Sequence, residues 1–172
     1  MVIYTPASAA KAIPVIDLTG SFSRDTDAKK VVAWEVHKAC RETGFFYVSN
    51  HGVPQDLLDK QLECARRFFD LPQAEKLKLD VAHSPSMRGY EPMSSQTLDD
   101  GSQPDLKEGF MAGVDGKQAY TTNGEFNSLN QWPASYGEMR AQTEDYIQAM
   151  TALGKHLLGV LALSLELPED HF

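Results

Sequence analysis

Apolar residues recur every three or four positions in three stretches of the chain, and each of these stretches predicts a helix. The stretches are residues 25–42, 54–71 and 133–165. Two short runs of β-branched and aromatic residues, at 13–18 and 45–49, predict strands. The pattern therefore alternates strand, helix, strand and helix before the long third helix.

Capping residues indicate where the predicted helices begin and end. Asp25 or Thr26 can cap the first helix, and Gly44 fits the position just after it. Pro54 suits the first turn of the second helix, where its missing N–H costs nothing. A short helix is predicted at 73–79. The stripe that the second helix is expected to bury is Leu58, Leu62, Ala65, Phe68 and Phe69.

Residues 80–130 lack helical periodicity and are rich in Ser, Gly, Pro, Asp and Asn. We predict a long excursion with little regular structure and two strand candidates, at 88–91 and 106–111. A loop of this length in a compact protein is usually functional or disordered. Near the end of the chain, Pro168 predicts the start of another helix.

Taken together, these elements predict an α+β fold preceded by a flexible arm at residues 1–12. The arm lacks the basic segment and apolar core of a signal peptide. The longest uncharged apolar stretch near the C-terminus, residues 157–165, is too short to cross a bilayer. We therefore expect a cytoplasmic protein with no membrane partner.

The charge of the chain is acidic and unevenly distributed. The 172 residues include 16 Lys or Arg and 24 Asp or Glu, for a net charge of −8. The first half is balanced, so the excess lies in residues 87–172. An acidic surface repels phosphate backbones, which argues against a nucleic-acid partner.

The usual motifs of catalysis are missing from this stretch of sequence. None of the five histidines begins H-x-D or H-x-E, and no H-E-x-x-H, G-x-S-x-G or phosphate-binding glycine loop occurs. Cys40 and Cys64 lie in predicted helices without a CxxC motif, so we expect reduced, buried thiols. The sequence predicts no catalytic residue, cofactor ligand or metal ligand within this chain.

One part of the excursion carries residues suited to binding a ligand. Arg88 offers a planar fork for a carboxylate, and Tyr90 offers a ring and a hydroxyl. Glu108 lies at the far end of the same acidic loop. The alternative interpretation is structural, with an Arg88–Glu108 or a Lys107–Asp105 ion pair fastening the loop to the body.

Seven segments, in this order, resemble one enzyme family. They are IPVIDL (13–18), ETGFFYVSNHGVP (42–54), ARRFFDLP (65–72), RGYE (88–91), PDLKEGF (104–110), QWP (131–133) and LALSLELPEDHF (161–172). Each segment is weak alone, but their order and spacing resemble the N-terminal region of the isopenicillin N synthase-like iron(II)/2-oxoglutarate-dependent oxygenases. The resemblance covers the chain from residue 13 onward.

The resemblance implies a fold and a place for the chemistry. Residues 13–172 would form a helical region with a few strands that join a double-stranded β-helix, or jelly roll, and the helix at 134–165 would brace the outside. The Fe(II) ligands and the 2-oxoglutarate arginine of the family lie C-terminal to the segment that matches 167–172. Arg88, Tyr90 and Glu108 would lie near the mouth of the barrel and contact an organic substrate.

Three functions remain open at this stage. The chain is expected to be the N-terminal part of an oxygenase that oxidises a small molecule with O₂, giving succinate and CO₂, and to be inactive alone. The alternatives are a non-catalytic binding protein or truncated relic, and a split enzyme whose barrel comes from another chain. Unpaired strand edges would favour self-association when no barrel covers them.

Overall fold

The computed structural model describes residues 12–97, 101, 103–118 and 126–172. It divides the chain into two compact units. The terminal unit comprises the described residues up to Val53 together with Met150–Phe172, and the central unit is Pro54–Ala149. Helices and short strands occur in both units, in agreement with the predicted α+β class.

The terminal unit begins with a strand–helix–strand segment. Strand β1 (Val15–Asp17) pairs in parallel with β2 (Tyr47–Ser49), with Val15 opposite Tyr47. Helix α1 (Thr26–Glu42) connects them, as parallel pairing requires a crossover. The predicted helix boundaries are confirmed, because the Asp25 carboxylate accepts a hydrogen bond from the Asp27 amide at 2.9 Å and Gly44 has φ of +74°.

The core of the terminal unit is aliphatic. It contains Ile16, Leu18, Val32, Ala33, Val36, Ala39, Leu153 and Val160. Alternation along the two strands leaves an apolar outer face in solvent, since Val15 is 67% and Tyr47 61% exposed. Cys40 is also exposed, so the predicted burial of this thiol is wrong. Its position on α1 lies next to the buried Ala39 but outside the face that packs.

The central unit contains most of the aromatic residues of the core. Its helices are α2 (Gln55–Phe69) and α3 (Gln73–Lys76), followed by 3-10 turns at Leu77–Leu79 and Val81–His83. Cys64, Phe68, Leu79, Tyr90, Tyr136 and Met139 form the buried cluster. Two details of α2 differ from prediction. Pro54 lies just before the helix rather than in its first turn, and Leu62 is exposed. Cys64 is buried, as predicted.

Short antiparallel pairs interrupt the predicted excursion. Strand β3 (Gly89–Glu91) pairs with β4 (Gly109–Met111), close to the two predicted strand candidates. Strand β5 (Gly116–Gln118) pairs with β6 (Phe126–Ser128). The sequence did not predict the second pair, because its six residues are mostly polar or glycine and have no alternating apolar pattern.

Helix α4 (Glu138–Ser164) is the longest element, and the boundary between the units falls within it. A turn at Pro133–Tyr136 precedes it, so it begins five residues after the predicted start. By length and composition α4 could cross a membrane, a test that the core helices of water-soluble proteins also pass. After it, a hydrogen bond from the His171 amide to the Pro168 carbonyl closes one turn, and the helix predicted to start at Pro168 stays a prediction.

Candidate functional site

The β3–β4 pair brings two of the three predicted ligand-binding residues into contact. Tyr90 on β3 lies opposite Phe110 on β4, and Glu108 immediately precedes β4. The Tyr90 hydroxyl donates a hydrogen bond to Glu108 Oε2 at 2.6 Å. Tyr90 is fully buried, and its hydroxyl also lies 3.2 Å from Gln73 Nε2 on α3. The hydroxyl of Tyr90 is therefore hydrogen-bonded to two protein side chains.

Lys76 completes this cluster, although sequence reasoning did not select it. Its ammonium group lies 2.7 Å from Glu108 Oε2, donates to the Phe69 carbonyl at 2.9 Å, and sits 5.4 Å from the centroid of the Tyr90 ring. The Lys76 side chain is only 7% exposed. A signal of the burial of Lys76 was present in the sequence. Lys76 lies three residues before the apolar Leu79, which is buried, and this spacing places both residues on one helical face.

The protonation states of the cluster follow from these contacts. The hydrogen bond from Lys76, followed by that from Tyr90, lowers the pKa of Glu108. Burial, together with the carboxylate of Glu108, raises the pKa of Tyr90. At neutral pH the cluster therefore contains an ammonium, a carboxylate and a neutral phenol that donates to that carboxylate. Such a set fastens a loop and leaves no group poised to transfer a proton.

The sequence analysis offered, as its alternative interpretation, an ion pair that fastens the loop to the body. Both ion pairs that it named are wrong. Glu108 pairs with Lys76 on α3 rather than with Arg88, and Lys107 and Asp105 do not pair with each other. The reason is that Glu108, directly before β4, directs its carboxylate toward the buried ammonium of Lys76. The idea of a fastened loop is thereby retained with different residues.

Arg88 lies apart from the Tyr90–Glu108 contact and is held through its backbone. Its amide donates to Ser84 Oγ at 3.0 Å, and its carbonyl accepts from Gln131 Nε2 at 2.7 Å. Its guanidinium packs directly over Gly113, where a Cβ atom would collide with it. The side chain is partly exposed.

Two amide side chains before α4 secure the same loop, and sequence reasoning also missed their role. Gln131 Nε2 lies within hydrogen-bond distance of the carbonyls of Leu79, Asp80 and Arg88. Asn130 exchanges two hydrogen bonds with the backbone of Gly113, at 2.9 and 2.6 Å. The QWP segment could have pointed to Gln131, but which carbonyls it serves depends on tertiary structure.

Gly89 is required between these contacts. Its φ of +115° is disfavoured for residues with a side chain. A Cβ atom there would also collide with the Leu79 carbonyl and lie 2.6 Å from Gln131 Nε2. The RGY sequence thus permits the close approach of β3 to the preceding 3-10 turn.

The histidines occupy separate positions. His51 Nδ1 accepts from the Val53 amide at 3.2 Å, a local contact within the turn before α2. His37 Nδ1 lies 2.9 Å from the Ser164 carbonyl, and His156 Nε2 lies 2.7 Å from Ser21 Oγ. Burial lowers the pKa of His156, which stacks on Phe22.

The described residues do not fit a metal ion. Across residues 12–97, 101, 103–118 and 126–172, no group of three His, Cys, Asp or Glu side chains could hold one. Non-haem Fe(II) oxygenases use two imidazoles and a carboxylate on one face. The described residues therefore offer no Fe(II) site of this kind.

Comparison with known proteins gives a consistent assignment. Residues 13–135 match the family described as "non-haem dioxygenase in morphine synthesis N-terminal". The 2-oxoglutarate-Fe(II) type oxidoreductase hxnY of Emericella nidulans is 36% identical over 170 residues, which are 95% of this chain and 49% of that protein. The 2-oxoglutarate-dependent dioxygenase tropC of Talaromyces stipitatus is 33% identical over 168 residues, with coverages of 94% and 52%.

A solved structure shows the same fold. A full-length Neurospora crassa protein, crystallised in complex with alpha-KG and thymine, superposes with a TM-score of 0.73 at 19% identity, over 93% of this chain and 50% of that one. The chain belongs to the non-haem dioxygenase family and corresponds to its N-terminal region. It spans about half the length of the curated relatives that it matches.

Proposed function

We propose that this chain is the N-terminal part of an Fe(II)/2-oxoglutarate-dependent oxygenase that oxidises a small organic substrate. The observation that carries the proposal is the family match over residues 13–135, combined with relatives of the same class that are about twice as long. In the proposed reaction, O₂ oxidises both the organic substrate and 2-oxoglutarate, and 2-oxoglutarate is converted to succinate and CO₂. We propose that the 172 residues alone are inactive.

The exposed sheet face of the terminal unit supports the proposal that a jelly roll packs against it in the complete enzyme. Parallel strands normally lie in sheets that are covered on both faces, and two strands alone are marginal. Here Val15 and Tyr47 of the β1–β2 pair are 67% and 61% exposed, and Phe45, two residues before β2, is 70% exposed. A jelly roll that extends this sheet would bury these side chains and pair the free strand edges.

The coding sequence provides the first experiment. The reading frame beyond Phe172 should encode H-x-D, a distal His and R-x-S, the residues that hold Fe(II) and 2-oxoglutarate in this family. A stop codon directly after Phe172 would favour the non-catalytic protein or relic. A separate barrel polypeptide that co-purifies with the chain would favour the split enzyme.

The second experiment measures turnover. The protein expressed from the complete frame should form succinate from 2-oxoglutarate under O₂ with Fe(II), and a substrate should raise the rate. The 172-residue chain should form no more succinate with Fe(II) than its metal-free control. Succinate production by the shorter chain above that control would refute its proposed inactivity.

We further propose that the loop of Arg88, Tyr90 and Glu108 borders the substrate. Arg88 is the part-exposed member and would contact an anionic or polar substrate group, because its planar fork suits a carboxylate. Tyr90 and Glu108 bind each other and Lys76, so they would act by positioning the strand that carries Arg88.

Kinetics of the complete enzyme can separate these roles. Arg88→Ala should raise KM for the organic substrate by about tenfold and leave KM for 2-oxoglutarate unchanged, as expected for one lost charged hydrogen bond. Arg88→Lys, which keeps the charge without the fork, should recover part of the loss. An unchanged substrate KM in Arg88→Ala would favour a purely structural loop.

A further inference from the structure

A groove in the terminal unit lies between α1 and the turn that follows α4. Its volume is about 760 Å³, which is within the range of small-molecule pockets. One wall is the stripe Lys30, Trp34, His37 and Arg41, whose spacing of four, three and four residues places them on one face of α1. The other wall is formed by residues 163–167.

The centre of the groove is an aromatic platform held in place. The Trp34 side chain is 56% exposed although indole is among the larger apolar groups of the chain. His37 stacks on it, with ring centroids 5.1 Å apart and planes inclined by 13°. The contact of His37 Nδ1 with the Ser164 carbonyl, at 2.9 Å, fixes the imidazole against α4. A flat ring can therefore stack on Trp34 without first ordering it.

Two cations flank this platform and lack acidic partners in the described part of the chain. Lys30 lies one turn before Trp34, and Arg41 lies one turn after His37. Their neighbours on the same helix behave differently, because Lys29 pairs with Glu169 and Lys38 pairs with Glu35. One carboxylate, Glu166, also lines the groove, so the local charge is positive in a chain whose net charge is −8.

We propose that this groove binds a small aromatic carboxylate. The ring stacks on Trp34, and the carboxylate pairs with Lys30 or Arg41. An exposed indole between two cations that have no acidic partner among the described residues favours a planar, anionic ligand over a neutral one, and the volume fits a small molecule.

The test uses 1-naphthoate as the probe and the protein expressed from its complete reading frame. The indole N–H signal of Trp34 in ¹⁵N NMR spectra is assigned by its disappearance in Trp34→Phe. Addition of 1-naphthoate should shift this signal saturably, while the neutral analogue 1-naphthylmethanol should bind at least about tenfold more weakly. Equal binding of the two probes, or no shift with either, would overturn the proposal.

Substitutions in the groove test the position of the site without relying on the NMR signal of Trp34. In calorimetric titrations, Lys30→Gln/Arg41→Gln should weaken naphthoate binding by about tenfold, and Trp34→Ala should abolish it. Lys38→Gln/Arg66→Gln removes the same charge outside the groove and should bind as the wild type does. An equal loss in this control would show non-specific attraction. Binding of an acidic peptide without binding of naphthoate would also overturn the proposal.

Discussion

The terminal and central units stabilise themselves with different kinds of side chain. The terminal unit buries aliphatic residues and leaves an apolar sheet face in solvent. The central unit buries aromatic residues together with the Lys76–Glu108 ion pair and the hydroxyl of Tyr90. The comparison teaches that the central unit pairs its buried charges and the Tyr90 hydroxyl with one another inside an aromatic core, whereas the terminal unit has an aliphatic core and presents the apolar face of its sheet to solvent.

The largest expected effect lies in the aromatic core of the central unit. Phe68 is fully buried and its ring contacts Phe69, Tyr90 and Phe110. Phe68→Ala should lower the free energy of unfolding by about 4 kcal/mol, because it removes a large apolar side chain and leaves a cavity. Urea denaturation followed by Trp132 fluorescence, in a Trp34→Phe background, measures this.

Leu62→Ala is the control on the same helix. Leu62 belongs to the predicted stripe but is 62% exposed, so the change should cost less than about 0.5 kcal/mol. A cost similar to that of Phe68→Ala would show that the sequence pattern, rather than the structure, identifies the buried face of α2.

The buried ion pair should give the next largest effect. Lys76→Met leaves the Glu108 carboxylate without its ammonium partner and should destabilise the chain by about 3 kcal/mol in the same denaturation assay. Adding Glu108→Gln should recover part of this loss, since the uncompensated charge is then removed.

Lys78→Met provides the matched control for Lys76→Met. Lys78 pairs with Glu75 on the surface, and its loss should change stability by no more than about 0.5 kcal/mol. Similar effects at positions 76 and 78 would contradict the internal satisfaction of charge in the central unit.

A pair of glycine substitutions gives a smaller contrast between the units. Gly89→Ala in the central unit combines a φ of +115° with a collision against the Leu79 carbonyl. It should lower the free energy of unfolding by up to about 3 kcal/mol. Gly44→Ala in the terminal unit has φ of +74° but open space around it, and should cost about 1 kcal/mol. Thermal unfolding of both variants measures the difference, and equal costs would contradict the tight approach of β3.

The smallest effect on stability is expected at the exposed sheet face. Val15→Thr/Tyr47→Thr should change the free energy of unfolding by at most about 0.5 kcal/mol, because both side chains face solvent. We expect the 172-residue chain to self-associate through this face and the double variant to do so less. Light scattering over a range of protein concentrations measures the association.

Leu62→Thr is the control for the association experiment, since it also replaces an exposed apolar residue, but on a helix. It should leave the association unchanged. A wild-type chain that stays monomeric at all concentrations would contradict the role of the sheet face.

The sequence predicted the local elements well where periodicity was strong. Helix α1, with its Asp25 cap and Gly44 terminus, and the strands β1 to β4 lie close to the predicted positions. It also predicted Arg88, Tyr90 and Glu108 as one neighbourhood, of which the structure joins Tyr90 to Glu108 directly. Lys76, Gln131 and the β5–β6 pair escaped prediction because their partners lie far away in sequence or their pattern is polar.

By itself, the sequence determined the order of helices and strands, the acidic charge and the membership of a dioxygenase family. Those properties are local or compositional, so a single chain displays them. Only the tertiary structure decided that Lys76 is buried against Glu108, that Leu62 and Cys40 face solvent, and that Trp34 lies between two cations above a groove. Burial and ion pairing depend on which distant segments pack against a residue, and a pattern along the chain does not contain that information.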